Sequence, residues 1–327
     1  MFASHLQPNL SPEAVERVPT RNGYGEGLLE AGKRDNKVIA LCCDLTESTR
    51  TDKFAQAYPE RFVQVGVAEQ NLASVGSGMA AMGKIPFIAS YAMFSPGRNW
   101  EQVRTTIAYN NANVKLIGAH AGVSVGPDGA THQAIEDIAI TRVIPNMVVI
   151  APADVHEARK ATLAAAKYEG PVYIRLGRSG TPVVTTPESP FVIGKAEVMY
   201  SRDESLEKKV GIVVTGSLLH NALMAAQELQ SNGIGASVLH MPTIKPLDEK
   251  ALKTFAQDHD ALVTVEEHQI VGGLGGAVAE YLSSAAPVRI ERVGMDDVFG
   301  ESGEPDELIA HFGMDTKGIV AAAMKVS

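Results

Sequence analysis

Short, uninterrupted apolar runs recur along this chain, and most are followed by a segment with the spacing of an amphipathic helix. In the first half, these runs cover residues 37–45, 62–68, 85–91, 114–122, 147–154 and 171–177. In a strand, successive side chains point to opposite faces of the sheet. A run that is apolar at every position is therefore typical of a strand buried on both faces, as in a parallel sheet covered by helices. The pattern therefore predicts an α/β fold with a mostly parallel sheet flanked by helices.

A second series of the same kind follows residue 209, with strands predicted at 210–216, 235–241, 261–267 and 288–295. Between the two series, residues 179–209 are rich in Pro, Ser, Thr and charge, which indicates a linker containing short strand pieces. A chain of 327 residues is long enough for two such domains. We expect the first domain to cover residues 1–190 and the second to cover residues 205–327.

The charge balance bears on the class of function. A formal net charge of −9 argues against a general nucleic-acid binder, although a local basic site for an anionic substrate remains possible. No apolar stretch approaches the ~20 residues that span a bilayer. The N-terminal segment lacks a basic region followed by an apolar core, so we expect no signal peptide, no membrane association and a cytoplasmic location. Cys42 and Cys43 are adjacent in an apolar run, which predicts buried strand residues without a disulfide.

A glutamate stands between a strand-like run and a helical pattern. Ala68, Leu72, Val75 and Met79 recur on one helix face, and Glu69 lies at its start. The helix dipole favours a negative charge at that position, whereas burial among apolar neighbours disfavours it. A glutamate under both influences suits general acid–base chemistry. The alternative interpretation is a first-turn glutamate that faces solvent.

The segment "AHAGVSVGPDGATHQAIED" (119–137) places His120, Asp128 and His132 in one glycine-rich loop. Two histidines and a carboxylate suggest zinc, but spacings of 8 and 4 residues do not match the common structural zinc patterns, and no cysteine accompanies them. The segment therefore favours a substrate-handling loop over a metal site. A helix is predicted to begin near Thr131, and its free N–H groups would form an anion site.

Two arginines follow the last apolar run of the first series, in "RLGRSG" (175–180). The planar guanidinium group offers paired donors that suit a phosphate or a carboxylate, so Arg175 and Arg178 are candidates for binding an anion. The alternative is that both are surface arginines in a loop.

Five segments occur together in an order that resembles one family. They are "VGVAEQN", "PFIASYAMFSPGRNWEQVR", "GPDGATHQAIED", "IPNMVVIAPAD" and "GPVYIRLGR", and they are similar to segments in the C-terminal part of transketolases. The resemblance extends from about Val18 to Val320 and is closest to the separately encoded C-terminal subunits of split transketolases. It implies dependence on thiamine diphosphate, and it implies a pyrimidine-binding domain followed by a transketolase C-terminal domain, which correspond to the two predicted units.

The resemblance assigns cofactor contacts by position. Glu69 matches the catalytic glutamate that hydrogen-bonds N1′ of the aminopyrimidine ring. Tyr91 and Phe94 match aromatic residues that line the pyrimidine pocket, where Phe is more usual than Tyr at the first position. Asp44 lies at the neighbouring strand end and is a further candidate for the cofactor. Gly97 stands where another aromatic residue often occurs, which predicts a more open pocket.

The resemblance also assigns substrate contacts. His132 matches a catalytic histidine near the reacting carbons that transfers protons. Asp128 matches an aspartate that recognises the hydroxyl group next to the carbonyl carbon. The remaining matches belong to a site for the sugar phosphate, and they are His120, Arg178, Arg21 and Ser48.

The family's diphosphate-binding motif, Gly-Asp-Gly followed by an Asn, has no counterpart in this chain. The resemblance therefore implies half of an enzyme, in which an N-terminal partner subunit supplies the diphosphate site and holds Mg²⁺ or Ca²⁺, with no metal held by this chain. It further implies an α2β2 assembly with self-association through both domains. Ala73, Ser74, Gly76 and Gly78 on the helix from Glu69 would allow close approach at such a contact, or tight packing within one domain.

Other functions remain open. One is a 1-deoxyxylulose-5-phosphate synthase, which shares an "AEQ" helix and "DGxTHQ", and another is a 2-oxoacid dehydrogenase E1 β subunit of similar length. The segments "GRNWEQVR" and "YIRLGR" favour a transketolase. A non-catalytic binding or regulatory subunit is the third alternative, but it would not need Glu69, His120, Asp128, His132 and Arg178 together. We therefore predict ketol transfer between ketose and aldose phosphates in carbohydrate metabolism, as in the pentose phosphate pathway.

Overall fold

The computed structural model describes the whole chain, from Met1 to Ser327. Its strands, numbered in chain order, are β1 (Arg17–Val18), β2 (Val38–Cys42), β3 (Phe62–Gln64), β4 (Ile85–Tyr91), β5 (Lys115–Ala119), β6 (Val148–Ile150), β7 (Val172–Arg175), β8 (Thr181–Pro182), β9 (Glu197–Tyr200), β10 (Lys209–Val214), β11 (Gly235–His240), β12 (Thr243–Lys245), β13 (Ala261–Gln269) and β14 (Arg289–Met295).

The helices are α1 (Thr20–Arg34), α2 (Asp52–Ala57), α3 (Glu69–Ala81), α4 (Trp100–Gln102), α5 (Asp137–Arg142), α6 (Val155–Lys167), α7 (Leu219–Ser231), α8 (Glu249–Gln257), α9 (Leu274–Ala285), α10 (Pro305–His311) and α11 (Thr316–Val326). Helix α4 continues into a π-helical segment, Val103–Ala108, and short 3₁₀ turns cover Pro59–Arg61, Val123–Asp128 and Gly216–Leu218. None of the helices combines the length and apolar character that crossing a bilayer requires.

Seven strands form the first sheet, in the order β12-β6-β7-β5-β4-β2-β3. Strands β2 to β7 pair in parallel, as the apolar runs predict, and β12 pairs antiparallel with β6 at one edge. Every residue of β2 and β5 is buried, because helices cover both faces of this sheet.

Five strands form the second sheet, in the order β14-β13-β10-β11-β9. All pairs are parallel except β11 with β9. Strand β9 comes from the expected linker, which accordingly contains a short strand piece. A separate antiparallel pair, β1 with β8, joins the start of the chain to the same region. Two mostly parallel sheets flanked by helices confirm the predicted fold class.

Helix α1 was not predicted from the sequence because glycines interrupt its apolar pattern. Those glycines permit close packing against α6. A Cβ atom on Gly23 would lie 2.0 Å from the carbonyl oxygen of Val155, and one on Gly27 would lie 2.8 Å from Cβ of Thr162. The helix is therefore stabilised by tertiary packing that offsets the low helix propensity of glycine.

One hydrophobic cluster joins the two sheets. It includes Ile88 and Leu116 of the first sheet, Val213 and Leu239 of the second, and Leu274 at the start of α9. Separation of the two units would expose this shared cluster to water at a cost of about 25 cal/mol for each Å² of apolar surface. The two units are therefore held in one arrangement by burial.

The carboxyl ends of parallel strands meet along one edge of the first sheet, where α/β proteins place ligand sites. Neighbouring strands β7, β5, β4, β2 and β3 each end at or lead into a predicted site residue. In that order, these residues are Arg178, His120, Tyr91, Asp44 and Glu69.

Candidate active site

Glu69 is the first residue of α3, and it is only 1% exposed. The solvent-facing alternative is therefore wrong. Oγ of Ser90 donates a hydrogen bond to Oε1 at 3.1 Å, and Nη1 of Arg98 donates to Oε2 at 2.5 Å. Since a carboxylate oxygen accepts more than one hydrogen bond, both oxygens keep capacity for a further partner.

Sequence reasoning gave no role to Arg98 or Asn99, although both lie in the quoted segment "PGRNW". The guanidinium carbon of Arg98 lies 4.7 Å from the centroid of the Phe94 ring, so the cation is held between an aromatic face and the Glu69 carboxylate. Asn99 is fully buried, and its Nδ2 donates to the backbone carbonyl of Glu69 at 2.9 Å. Together they hold the first turn of α3 in place.

Four rings form an aromatic cluster beside this carboxylate. The centroids of Tyr91 and Phe94 lie 6.2 Å apart, with the rings inclined by 23°. His132 stands edge-on to both, at 6.3 Å from Tyr91 and 5.5 Å from Phe94. His120 stacks on Tyr91 at 3.9 Å. Because Tyr91, Phe94 and His132 are all partly exposed, the cluster is open to a ligand.

His120 is held as a neutral imidazole. Nη1 of Arg21 lies 3.2 Å from its Nε2, and arginine can only donate, so Nε2 accepts and the proton resides on Nδ1. Burial, reinforced by the nearby charges of Arg21 and Arg178, lowers the pKa of His120 to about 3. Nδ1 is buried and has no hydrogen-bond partner in the chain, which is uncommon and marks a donor available to a ligand.

Three guanidinium groups lie near His120, and none of them forms a salt bridge. They belong to Arg21, Arg50 and Arg178. Burial, and then the charges of Arg50 and Arg178, lowers the pKa of Arg21. Nη1 of Arg21 donates to the carbonyl of Ser48 at 2.8 Å, and Nη1 of Arg178 donates to the carbonyl of Val125 at 2.8 Å. Clustered cations without a counter-charge suit an anionic ligand. Arg50 was missed by sequence reasoning, and its left-handed backbone (φ 62°) is the kind of strain that concentrates at functional sites.

Two predicted residues form no side-chain hydrogen bond or ion pair with this group. Asp44 and Asp128 lie at the same edge of the sheet and are exposed, and neither carboxylate forms a hydrogen bond or a salt bridge within the chain. Asp44 has a left-handed backbone with φ 59°. Both carboxylates are therefore available to a ligand or to another subunit.

Arg175 does not belong to the anion site, so the interpretation that it grips a substrate anion is wrong. It is buried, its Nε donates to Oδ2 of Asp137 at 2.9 Å, and its Nη2 donates to the carbonyl of Glu267 at 2.7 Å. The hydroxyl of Tyr173 donates to the same Asp137 at 2.7 Å. A buried carboxylate beside Arg175 satisfies its charge locally, so its guanidinium group does not extend into the site.

The predicted helix start near Thr131 is also wrong. Two 3₁₀ turns, Val123–Asp128, and an irregular segment precede α5, which begins only at Asp137 and has six residues. Gly129 has φ 72°, which lies outside the right-handed helical region. A helix therefore cannot run through this position into Thr131. The expected row of free helix N–H groups is therefore absent from the site.

No group of three or more His, Cys, Asp or Glu side chains in the chain is arranged to hold a metal ion. The prediction of two buried, unpaired cysteines is confirmed, because Cys42 and Cys43 are both buried and free. Burial raises the pKa of the Cys43 thiol to about 12, which keeps it from acting as a nucleophile near neutral pH.

Two family models match the chain. "Transketolase, pyrimidine binding domain" covers residues 16–183, and "Transketolase, C-terminal domain" covers residues 199–319. The Methanocaldococcus jannaschii protein described as a transketolase C-terminal section is 44% identical over 93% of this chain and 95% of its own length. A 6-deoxy-6-sulfo-D-fructose transketolase subunit from a Clostridium species is 40% identical over 94% of each chain.

The structure is similar to a solved split-gene transketolase that is described as an inactive β4 tetramer. The TM-score is 0.87 at 45% sequence identity, and the match covers 94% of this chain and 98% of the other. Coverage above nine-tenths of both chains means that the similarity extends over both sheets and the junction between them.

Proposed function

The chain belongs to the transketolase family, which depends on thiamine diphosphate, and we propose on this premise that it is the C-terminal subunit of a split transketolase. Its reaction is transfer of a two-carbon ketol unit between sugars that carry a terminal anion. The observation that carries this proposal is the location of a buried glutamate, an aromatic cluster and an unpaired arginine cluster along one sheet edge. We also propose the domain division given above, 1–190 and 205–327.

The residues of this chain fit the pyrimidine end of thiamine diphosphate. Glu69 keeps free acceptor capacity on a buried carboxylate, which suits a ring nitrogen that carries a proton. Tyr91 and Phe94 are partly exposed aromatic residues beside it, which suit a planar heterocycle. Asp44 is a further proposed contact. When bound, the cofactor supplies the carbon nucleophile that attacks a ketose carbonyl.

Two residues of the chain are proposed to handle protons. Glu69 holds a proton between its carboxylate and the ring nitrogen, while Ser90 and Arg98 orient the carboxylate. His132 belongs to the aromatic cluster, and its Nδ1 lies 2.9 Å from Oγ1 of Thr131. Because Nδ1 has a partner within the chain, Nε2 is the atom that exchanges a proton with a substrate hydroxyl group.

The anion site is proposed to bind the far end of the sugar. Arg21 and Arg178 supply positive charge, neutral His120 donates a hydrogen bond from Nδ1, and Ser48 lies at the rim. Asp128 is proposed to accept from a hydroxyl group near the carbonyl. Guanidinium groups bind tetrahedral oxyanions in general, and the Clostridium relative is named for a sulfonated sugar. A phosphate and a sulfonate are therefore both proposed ligands of this site.

An N-terminal partner subunit is proposed to complete the enzyme. The chain lacks Gly-Asp-Gly and offers no cluster of metal ligands. The partner would therefore supply the diphosphate site and hold the Mg²⁺ or Ca²⁺ ion, in an α2β2 assembly.

Self-association is proposed to use α3 together with the second domain. Ala73 and Gly76 pack inside the first domain, where a Cβ on Gly76 would lie 2.8 Å from Cγ2 of Ile88. Exposed residues recur at helical spacing on the outward face of α3 and just beyond its two ends. They are Val67, Asn71, Ser74, Gly78 and Met82. Small side chains between two exposed apolar residues suit close contact with another subunit.

The proposal is tested by mixing the chain with its N-terminal partner, thiamine diphosphate and Mg²⁺. We expect ketol transfer to ribose 5-phosphate from xylulose 5-phosphate or from 6-deoxy-6-sulfofructose, and comparison of the two donors identifies the preferred anion. The same mixture containing Glu69→Gln serves as the inactive control. A complex that transfers no ketol group from either donor, but condenses pyruvate with glyceraldehyde 3-phosphate, would refute the proposal.

A further inference from the structure

The second unit lies directly against the loop that carries Asp128 and His132. Gly122 and Gly129 of this loop have φ values of 84° and 72°, and neither has space for a side chain. A Cβ on Gly122 would lie 2.1 Å from Oε1 of Glu267, and one on Gly129 would lie 2.5 Å from Oγ of Ser302. The path of the loop is therefore shaped by residues from the other unit.

Glu267 provides the strongest single attachment. It lies near the end of β13 and is only 4% exposed. Its Oε1 accepts a hydrogen bond from the backbone N–H of Ser124 at 2.7 Å, and its Oε2 accepts from Oγ of Ser217 at 2.7 Å. A hydrogen bond from a backbone N–H to a carboxylate is shorter and stronger than a hydrogen bond between two uncharged groups. The carboxylate thus fixes the start of the loop relative to the second sheet.

A second attachment holds the other end of the loop. Gln133 is buried, and its Nε2 donates to the carbonyl of Glu301 at 2.8 Å and to the carbonyl of Val123 at 3.0 Å. Gly300 has no room for a side chain, because a Cβ there would lie 1.8 Å from Oε1 of Gln133. Both ends of the loop are therefore attached to the second unit.

The loop also has space to move into. A cavity of about 270 Å³ lies at the junction of the two units, and its walls include Ser124, Ser217 and Glu267. A residue that faces a cavity is not held by packing on that side. Hydrogen bonds therefore hold this part of the loop. The N–H of Ser124 donates to Glu267 of the second unit, and its carbonyl accepts from Oγ of Ser179 at 2.7 Å within the first unit.

We propose that the second unit positions the loop for the reaction, with Glu267 as the positioning residue. This inference rests on the proposed function, in which Asp128 binds the sugar and His132 transfers a proton. The second domain then sets the geometry of substrate recognition as well as contributing to assembly. A displacement of 1 Å at a reacting group is enough to lower a rate by about a hundredfold.

The test compares Glu267→Ala with Glu267→Gln, whose amide can still accept from Ser124 and donate to Ser217. Glu291→Ala is the matched control, because Glu291 is a carboxylate of the same domain that pairs with Lys325 away from the loop. Hydrogen exchange of the isolated chain is followed for peptides covering residues 122–133. We expect exchange in Glu267→Ala to be about tenfold faster there than in the control, with Glu267→Gln close to wild type.

Kinetics of the complex with the N-terminal partner provide the second measurement. We expect Glu267→Ala to raise the KM for the sugar about tenfold and to lower kcat, because Asp128 and His132 both move. A merely structural defect would lower the active fraction without changing KM.

Unaltered loop exchange in Glu267→Ala overturns the inference. If Glu267→Ala does not fold, Glu267→Asp replaces it, because a carboxylate one methylene shorter cannot reach Ser124 and Ser217 together, and unaltered exchange there has the same meaning. Failure of the proposed function is recognised separately, because the wild-type complex would then transfer no ketol group while the exchange result still stands.

Discussion

The imidazole of His120 stacks on the phenol ring of Tyr91, with centroids 3.9 Å apart and the rings inclined by 27°. This stack joins the aromatic cluster to the anion site, because the same imidazole accepts a hydrogen bond from Arg21. With a pKa of about 3, His120 carries no charge under working conditions. The positive charge of the anion site therefore comes from arginine alone and does not change with pH.

The first prediction concerns the pH dependence of KM. A phosphate ester loses its second proton near pH 6, whereas a sulfonate stays singly charged. Because His120 stays neutral and the arginines stay charged, we expect KM for a phosphate donor to rise below about pH 6 and KM for a sulfonate donor to stay flat between about pH 5 and 8. Initial rates with both donors measure this. A KM for the sulfonate donor that changes near pH 6.5 in wild type but not in His120→Asn would show that His120 titrates and would contradict the prediction.

The second prediction concerns the buried carboxylate at the start of α3. We expect Glu69→Gln to lower kcat by at least about a hundredfold, because the amide cannot exchange a proton with a ring nitrogen. The fold should persist, since the amide oxygen of glutamine can still accept from Arg98 while its N–H donates to Oγ of Ser90. Glu60→Gln, an exposed position, is the control for the loss of one negative charge. Near-wild-type turnover of Glu69→Gln would remove this residue from the mechanism.

The third prediction concerns the pair formed by Arg98 and Glu69. The arginine side chain is 47% exposed, so water screens part of its charge. We expect Arg98→Met to lower the free energy of unfolding by about 1–2 kcal/mol, between the values typical of surface and buried pairs. In urea denaturation, the double variant Arg98→Met/Glu69→Gln should lose less stability than the two single variants combined. Arg104→Met, at an exposed arginine without a salt bridge, is the control. Strict additivity of the two changes would show that the pair is not coupled.

The fourth prediction concerns a buried pair at the junction of the two units. Nε2 of His240 lies 2.8 Å from Oε2 of Glu157. Burial disfavours the charged imidazole, but the Glu157 carboxylate and the carbonyl of Val214 outweigh it, and the pKa of His240 is raised. The unfolded chain has the ordinary histidine pKa near 6.5. The folded protein therefore binds more protons above that pH, and the stabilisation is complete below about pH 6.5 and declines as pH rises through the folded pKa.

Urea denaturation of wild type and His240→Asn at a series of pH values measures this contribution. We expect the stability difference between the two proteins to be largest near pH 6 and to shrink toward pH 9, with a slope of up to about 1.4 kcal/mol per pH unit inside the window. A difference that grows with rising pH would mean that the pKa of His240 is lowered in the folded protein, contrary to the prediction.

Local sequence order predicted much of the fold and part of the candidate site. Apolar runs alternate with helical patterns, and hydrophobic periodicity is a property of consecutive residues, so the parallel sheets followed from it. The placement of Glu69 at a helix start, and of His120 and Arg178 after strands, followed from the same pattern. Helix α1 did not, because its glycines are explained only by contact with α6.

The choice of partner for each charged group was decided by the tertiary structure. Arg98 reaches Glu69 from 29 residues away, and Glu267 reaches Ser124 across 143 residues. Neither contact leaves a periodic signal in the sequence. Arg175 and Arg178 are three positions apart and look equivalent in sequence, yet one is neutralised by Asp137 and the other is left free for a ligand. The sequence by itself determined which residues follow the ends of strands, because the end of an apolar run is a local property of the chain. The order of the strands in the sheet was decided by tertiary pairing. The tertiary structure decided which charges are paired and which are available, because electrostatic interactions depend on distance and burial in three dimensions.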